Sequence, residues 1–346
     1  MRLSNDLIKK AEEQIKRGMH TEAQELLQKA EESLREAADM GGVNGWLVEN
    51  AVRQGKIIEF ASIPSNPDIA QEWKHLAGAW AHLGSVLLER ERYSESENAF
   101  RMSLELYPIN ADAWYNLGAV MGILGRHKDT ERPYRKATEL NPKDATAWFG
   151  LGIARFHLGK TAESAKALAR AVEIDPTLVD AWFNLGYAMI RLGRAKDAEV
   201  PFRRVTELNP KDAAAWFFLG DTLLEQGKTV ESAEASAKAT EIDSTRTGAW
   251  RNLGTALGQL GRFEDAEGPF RKVTELDPND ALNWFNLSVT KQMQGKLEEA
   301  VDALRKAIEI DPNQGIFWQN LVTTLNKLGR KSEAEEAYQK AKELGL

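Results

Sequence analysis

Cysteine is absent from the 346 residues, which excludes disulfides, zinc thiolates and a thiol nucleophile. Histidine is scarce, and His20, His75, His82, His127 and His157 show no metal-ligand spacing. No apolar run approaches the roughly 18–20 residues that a membrane helix needs. The opening stretch, MRLSNDLIKKAEEQIKRG, has no apolar signal core. Basic charge is outnumbered: 45 Lys and Arg against 52 Asp and Glu leave a net charge of −7. That balance disfavours a nucleic-acid binder, which needs basic surface against phosphates. There is no Gly-rich phosphate loop and no nucleophile elbow, so neither an enzyme nor a cofactor is expected. Hydrophobic residues make up 42% of the chain, enough to fold. The expectation is a soluble, cytoplasmic protein.

Tryptophan is plentiful and regular. Trp80, Trp114, Trp148, Trp182, Trp216, Trp250, Trp284 and Trp318 stand 34 residues apart. A period of this size marks a stacked array, in which each unit buries its apolar face against its neighbours. Eight repeats begin at Ala77, Ala111, Ala145, Val179, Ala213, Thr247, Ala281 and Gly315, with tryptophan at position 4. Leucine holds position 7, and glycine holds position 8 in the first six repeats. Glycine recurs at position 15 from Gly125 to Gly329, a small or short residue at position 20, and, before the final repeat, proline at position 32 except at Ser244.

These spacings predict two short helices per repeat. Positions 4, 7, 8 and 11 share one face of the first helix. Glycine at 15 ends it. Positions 20, 24, 27 and 30 form the apolar stripe of the second, and proline at 32 stops it. Glycine at 8 and the small residue at 20 let the pair approach closely.

The pattern W-x2-L-G, followed by small, aromatic, Ala and Pro positions, resembles the tetratricopeptide repeat family. The resemblance covers residues 77–346. It implies an all-α fold, a right-handed α-solenoid or superhelix of helix-turn-helix repeats. Residues 1–37 read as a degenerate N-terminal hairpin that caps the array, with Leu7, Gly18, Ala23, Leu27 and Ala30 in register. Residues 38–76 read as an irregular insert or eroded repeat around Trp46. A helix is expected near 44–54, a loop near 60–67, and a helix from about Pro67 into the first regular repeat. The last helix is polar (Glu335, Glu336, Gln339, Lys340, Lys342, Glu343), as a terminal repeat requires, so the array is expected to end naturally.

A longer period lies within the first. Asp129-Thr-Glu-Arg-Pro133, Asp197-Ala-Glu-Val-Pro201 and Asp265-Ala-Glu-Gly-Pro269 recur every 68 residues. Proline early in a helix crowds the preceding turn, and the aspartate is placed to cap a helix that starts late. Two readings stand: late or kinked helices with alternating repeat angles, or only the record of a two-repeat duplication. Arginine at position 25 (Arg101, Arg135, Arg203, Arg271, Arg305) is flanked by glutamates four residues away, which reads as a solvated outer face.

In the family, first helices line a concave side whose positions 2, 5, 9, 12 and 13 face the ligand. Position 5 is Tyr115, Phe149, Phe183, Phe217 and Phe285; position 6 is Asn116, Asn184, Asn252, Asn286 and Asn320. Asparagine amides offer a peptide backbone both donor and acceptor. Aromatic-Asn is also the family's average choice, so these ladders alone do not decide. Positions 9, 12 and 13 depart from that average with Ile123, Ile153, Phe156, Tyr187, Ile190, Leu224, Val289 and Met293. They are expected to form an apolar stripe, flanked by Asp112, Asp180, Arg191, Asp221, Glu225 and Arg251. The other reading is that long helices pack these side chains internally. Chaperone-tail clamps of the family use lysine at 5 and asparagine at 9, and no repeat here has that pair.

The resemblance therefore implies a non-enzymatic scaffold that takes a peptide or amphipathic helix of a protein partner in its groove. Two alternatives stay open: self-assembly into a homo-oligomer, or a repeat subunit of a larger enzyme or defence complex whose activity is on another chain. No nucleic acid and no membrane insertion are expected.

Overall fold

The computed structural model describes residues 2–40 and 67–345. The expected helix near 44–54, the loop before Pro67 and the eroded repeat around Trp46 lie outside them. The described residues are helical throughout, joined by short turns, and fall into two compact bodies, Met1–Ala181 and Trp182–Leu346.

In the first body, Arg2–Lys16 and His20–Met40 form a hairpin around Gly18, which holds φ 79°. Ile8, Ala11, Ile15, Ala23 and Leu27 bury themselves with Trp73, Leu76 and Trp80 of the helix Pro67–Glu89. Ser4 and Asn5 donate hydrogen bonds to the Glu72 carboxylate (2.8 and 3.2 Å). Beyond this hairpin each repeat is a first (A) and a second (B) helix. The pairs are Pro67–Glu89 with Tyr93–Leu106, Ala111–Ile123 with Glu131–Leu140, and Ala145–His157 with Thr161–Ile174. The second body continues with Val179–Arg191 and Ala195–Leu208, Ala213–Glu225 and Thr229–Ile242, Thr247–Gln259 and Phe263–Leu276. It ends with Ala281–Met293 and Leu297–Ile310, then Gly315–Lys327 and Lys331–Glu343.

Four contacts, each repeated along the chain, explain the pattern. Glycine at position 8 lets A and B touch: a Cβ on Gly152 would lie 2.6 Å from Leu168 Cγ, and one on Gly84 2.9 Å from Phe100. Serine at position 20 donates to the carbonyl of that glycine, Ser96 to Gly84, Ser164 to Gly152 and Ser232 to Gly220, each at 2.7 Å. Tryptophan at position 4 reaches back into the turn before its own helix. The indole N–H of Trp114 donates to the Pro108 carbonyl (2.7 Å), and Trp148, Trp216, Trp284 and Trp318 do the same to Pro142, Pro210, Pro278 and Pro312. Trp250 uses the Ser244 carbonyl at 2.9 Å, because the acceptor is backbone and proline is not required. Trp80 lies inside a continuous helix with no turn before it, and its buried N–H has no partner among the described residues.

The fourth contact joins consecutive repeats. Glutamate at position 21 accepts from the cation at position 16 of the next repeat: Glu97 from Arg126 (2.9 Å), Glu131 from Lys160 (2.7 Å), Glu199 from Lys228 (2.6 Å) and Glu267 from Lys296 (2.7 Å). Lys291 adds a second bond to Glu267 at 2.7 Å. The reading of these glutamates as members of a solvated outer face is therefore corrected. They sit in the joint between repeats, with side chains only 11–19% exposed.

The 68-residue period is an alternation of joints. In Asp-x-Glu-x-Pro the aspartate binds the arginine three residues before it: Asp129 with Arg126, Asp197 with Arg194 and Asp265 with Arg262. The glutamate goes forward to the next repeat, and the proline is buried. Repeats three and five place Ala165 and Ala233 where the glutamate would be, on helices of small buried residues such as Ala167, Ala171, Ala235 and Ser236. The expectation of late helix starts holds at one of three prolines. Ala195–Leu208 and Phe263–Leu276 start where the other B helices do and carry Pro201 and Pro269 inside. Only Glu131–Leu140 starts late, after a 3-10 turn at His127–Asp129. There the Thr130 hydroxyl donates to the His127 carbonyl (2.8 Å), a bond that Ala198 and Ala266 cannot make. None of the three aspartates caps a helix. Position 30 also departs from the expected stripe, since Leu140, Ile242 and Ile310 end their helices exposed.

Glycine at position 15 closes each A helix in the left-handed region, with φ of 70–75° from Gly125 to Gly329. Repeat one has Glu91 there, the single non-glycine with positive φ (61°) among the described residues. A side chain in this conformation costs about 1–2 kcal/mol. Glu91→Gly is therefore expected to raise stability by roughly 1 kcal/mol in chemical denaturation; an unchanged or lower midpoint contradicts this account.

Acid should open the joints. Hydrogen bonds from Lys291 and Lys296 pull the Glu267 carboxyl down from 4.5 to about 2, and one from Lys160 lowers Glu131 as well. A depressed carboxyl contributes stability that is present above its unfolded value and lost as pH falls. For Glu267 that window runs from 4.5 down to about 2. Glu267→Gln is expected to cost roughly 1–3 kcal/mol at neutral pH. The gap between mutant and wild type should close across that window in pH-dependent unfolding.

Candidate partner-binding face

The candidate side chains all lie on A helices, so the helix register sets their direction. Asparagine or aspartate at the residue before most A helices anchors that register: Asn110 accepts from the Ala113 N–H, Asp144 from Thr146 and Ala147, Asp212 from Ala215. Positions 5, 9 and 12 then follow at helical spacing on one side.

In the first body, Tyr115, Asn116, Phe149, Ile153 and Phe156 are half-buried, and Ile123 is 53% exposed. Tyr115 is not free of the interior: its ring lies 5.8 Å from Tyr134. Tyr134 is the B-helix aromatic of the same repeat, and burial pushes its hydroxyl up to about 12. The same ring explains why repeat three has no asparagine at position 6. Gly150 stands there, and a Cβ on it would lie 2.5 Å from Tyr134.

In the second body the A-helix face carries a connected aromatic group. Phe183, Tyr187, Phe217 and Phe218 are half-buried, and Phe202 closes the interior beneath them. Phe218 is the hub: it stacks on Phe202 (5.3 Å, 13°) and meets Phe183 and Tyr187 edge-on at 5.7 and 5.8 Å. Phe217 lies over Gly248, where a Cβ would come within 2.8 Å of its ring, and the Arg246 guanidinium sits 5.8 Å from its centroid. Ile190 packs beside this core, and Leu224 is half-buried. Arg191 and Glu225 are exposed.

Phe218, Arg246 and Gly248 were not among the candidates. Phe218 occupies position 6, where asparagine was expected to repeat, so the ladder reading hid it. The departure itself was the available signal.

The asparagine ladder is interrupted by Gly150 and Phe218, and its rungs differ. Asn252 is buried, and its amide donates to Asp221 Oδ1 of the preceding repeat (3.1 Å). Asn320 turns back to the Ile316 carbonyl (2.9 Å). Asn286 is half-buried, and its side chain has no hydrogen-bond partner among the described residues. Further along, Val289 is half-buried and Met293 is 58% exposed, while Phe285 packs on Phe317 (5.1 Å). Arg251 pairs with Asp280 (3.3 Å) and is committed to the fold. Internal packing therefore claims part of each position-5 aromatic and leaves positions 9, 12 and 13 with open surface.

Among the described residues, no group of three or more His, Asp or Glu side chains is placed to hold a metal ion. No described helix is long and apolar enough to cross a membrane.

Stacked helix pairs with this contact set define a helical-repeat protein. The tetratricopeptide repeat family pattern matches residues 82–129, 124–178, 251–315 and 290–345, and a second pattern of the same family matches 155–220. The chain belongs to the tetratricopeptide repeat family, whose members serve as protein-interaction scaffolds. The stretch between the matches, 221–250, contains the alanine- and serine-rich helix Thr229–Ile242. No curated protein matches the sequence. Among solved structures, YrrB, a TPR protein with an unusual peptide-binding site, is 23% identical with a TM-score of 0.51, over 54% of this chain and 96% of its own. PilF of Pseudomonas aeruginosa is 18% identical with a TM-score of 0.48, over 64% and 97%. MamA of Desulfovibrio magneticus RS-1 is 19% identical with a TM-score of 0.46, over 48% and 94%. These likenesses concern the fold.

The hub position yields a direct test. Phe218→Asn restores the residue that repeats six and seven carry at position 6 but removes four ring contacts, those to Phe183, Tyr187, Phe202 and Phe217. It is expected to destabilise the protein by roughly 2 kcal/mol in urea titration, below the cost of truncating a fully buried Phe. A neutral effect contradicts the hub assignment.

Proposed function

We propose that the A-helix face is a groove for a protein partner, an extended peptide or an amphipathic helix, and that the protein acts as a scaffold with no chemistry of its own. One observation carries the reading. Tyr187, Ile190, Phe217 and Leu224 keep open apolar surface although Phe202, Leu219 and Leu223 already close the interior beneath them. A clustered apolar surface that the fold does not consume marks an interaction site. In the first body Tyr115, Asn116, Phe149, Ile153 and Phe156 offer the same combination on the same helix positions. In the second, Asn286 supplies an amide with both donor and acceptor unused, suited to a peptide backbone. Phe183, Asn184, Arg191, Asp221 and Asn252 complete the proposed surface. The peptide-binding site of the fold neighbour YrrB is consistent with this use of the fold.

Charge placed in the apolar surface should remove binding without unfolding the array. Ile190→Asp and Leu224→Asp are expected to lose the proteins that the wild-type chain captures from its native lysate, at unchanged circular dichroism. Val230→Asp, at an exposed B-helix position, should retain them. Identical capture by all variants refutes the groove.

A further inference from the structure

Within the second body, the A-helix face carries a place suited to a cation. At two successive joints, position 6 of one repeat meets position 9 of the repeat before it. Phe218 meets Tyr187 at 5.8 Å and 69°. One repeat on, Asn252 meets Asp221 at 3.1 Å. Phe218 and Asp221 are three residues apart on the helix Ala213–Glu225, so they are neighbours on one helical face. An aromatic corner and a carboxylate thus stand side by side.

The carboxylate is only half satisfied. Asn252 reaches Asp221 Oδ1, and Oδ2 accepts no hydrogen bond among the described residues. Among the described residues, no cation lies within ion-pair distance of Asp221. This distinguishes it from Asp280, which holds Arg251, and from Glu199 and Glu267, which hold the repeat joints. Glu225, one turn further on, is exposed and likewise has no ion pair among the described residues. Aromatic faces are the negative ends of the ring quadrupole and attract a desolvated cation. An anion would meet both the faces and the carboxylates unfavourably.

We propose that Tyr187, Phe218 and Asp221 seat a lysine or arginine side chain of the bound partner, with the flanking apolar residues of that partner on Ile190 and Leu224. The partner is then a peptide segment that alternates apolar with basic residues. This rests on the groove reading above and specifies what the groove selects. Asp221→Asn is the informative variant, because an amide keeps an oxygen for the Asn252 hydrogen bond and removes only the charge.

A random dodecapeptide phage library panned against the full chain and against Asp221→Asn tests it. The wild-type protein is expected to enrich sequences with Lys or Arg beside aliphatic or aromatic residues. Asp221→Asn is expected to keep the apolar preference and lose the basic one. A synthetic peptide of the enriched sequence should bind the variant about tenfold more weakly, the scale of a partly desolvated cation–π and charge contact. Replacing its basic residue by norleucine should weaken wild-type binding equally and leave the variant indifferent. Enrichment of apolar peptides without a basic residue, or a basic preference that survives Asp221→Asn, overturns the cation seat while the groove stands. Failure to enrich any sequence that competes with Ile190→Asp overturns the groove, and the seat with it.

Discussion

A tryptophan N–H held by a backbone carbonyl of the turn before it is the contact on which the stacking depends. Helices of 13 or 14 residues are too short to be stable alone and need a fixed neighbour. The indole supplies one: its ring fills the seam while its N–H fixes the turn leading into the same helix. Trp148 on Pro142 in the first body and Trp284 on Pro278 in the second are the same device. Ser244 shows which part is essential. Loss of the proline ring there leaves the hydrogen bond to Trp250 intact.

Around that contact the repeats are joined by two chemistries. Repeats with Asp-x-Glu-x-Pro send one carboxylate back to their own arginine and one forward to the next repeat's lysine. Repeat five, with Ala233 at the glutamate position, relies on small side chains and close packing. Ion pairs of this kind are directional and sensitive to pH, whereas alanine packing is not. The array is thus uniform in fold and uneven in how its joints respond to solution conditions.

Much of the architecture was legible in one sequence because 34-residue repetition averages out local ambiguity. Gly152 and Ser164 could be read as close-approach residues from spacing alone, and the structure supplies their partners, Leu168 and the Gly152 carbonyl. The charged positions were misread because Glu199 has a cation four residues away, Arg203, and another 29 residues away, Lys228. Helical spacing reveals only the first. Pro201 and Pro269 were over-read in the opposite sense, as a helix held by tertiary packing tolerates an early proline that propensity alone would place outside it.

The sequence by itself determined the helix-pair repeat and its register, since these follow from periodicity. Tertiary structure alone decided how each position is used. It committed Arg251 and Asn252 to neighbouring repeats, made Phe218 the hub of an aromatic group and left Asp221 half satisfied. The reason is physical: periodicity encodes direction from the helix axis, but hydrogen-bond partners and ring contacts lie across the joint, between residues about thirty positions apart.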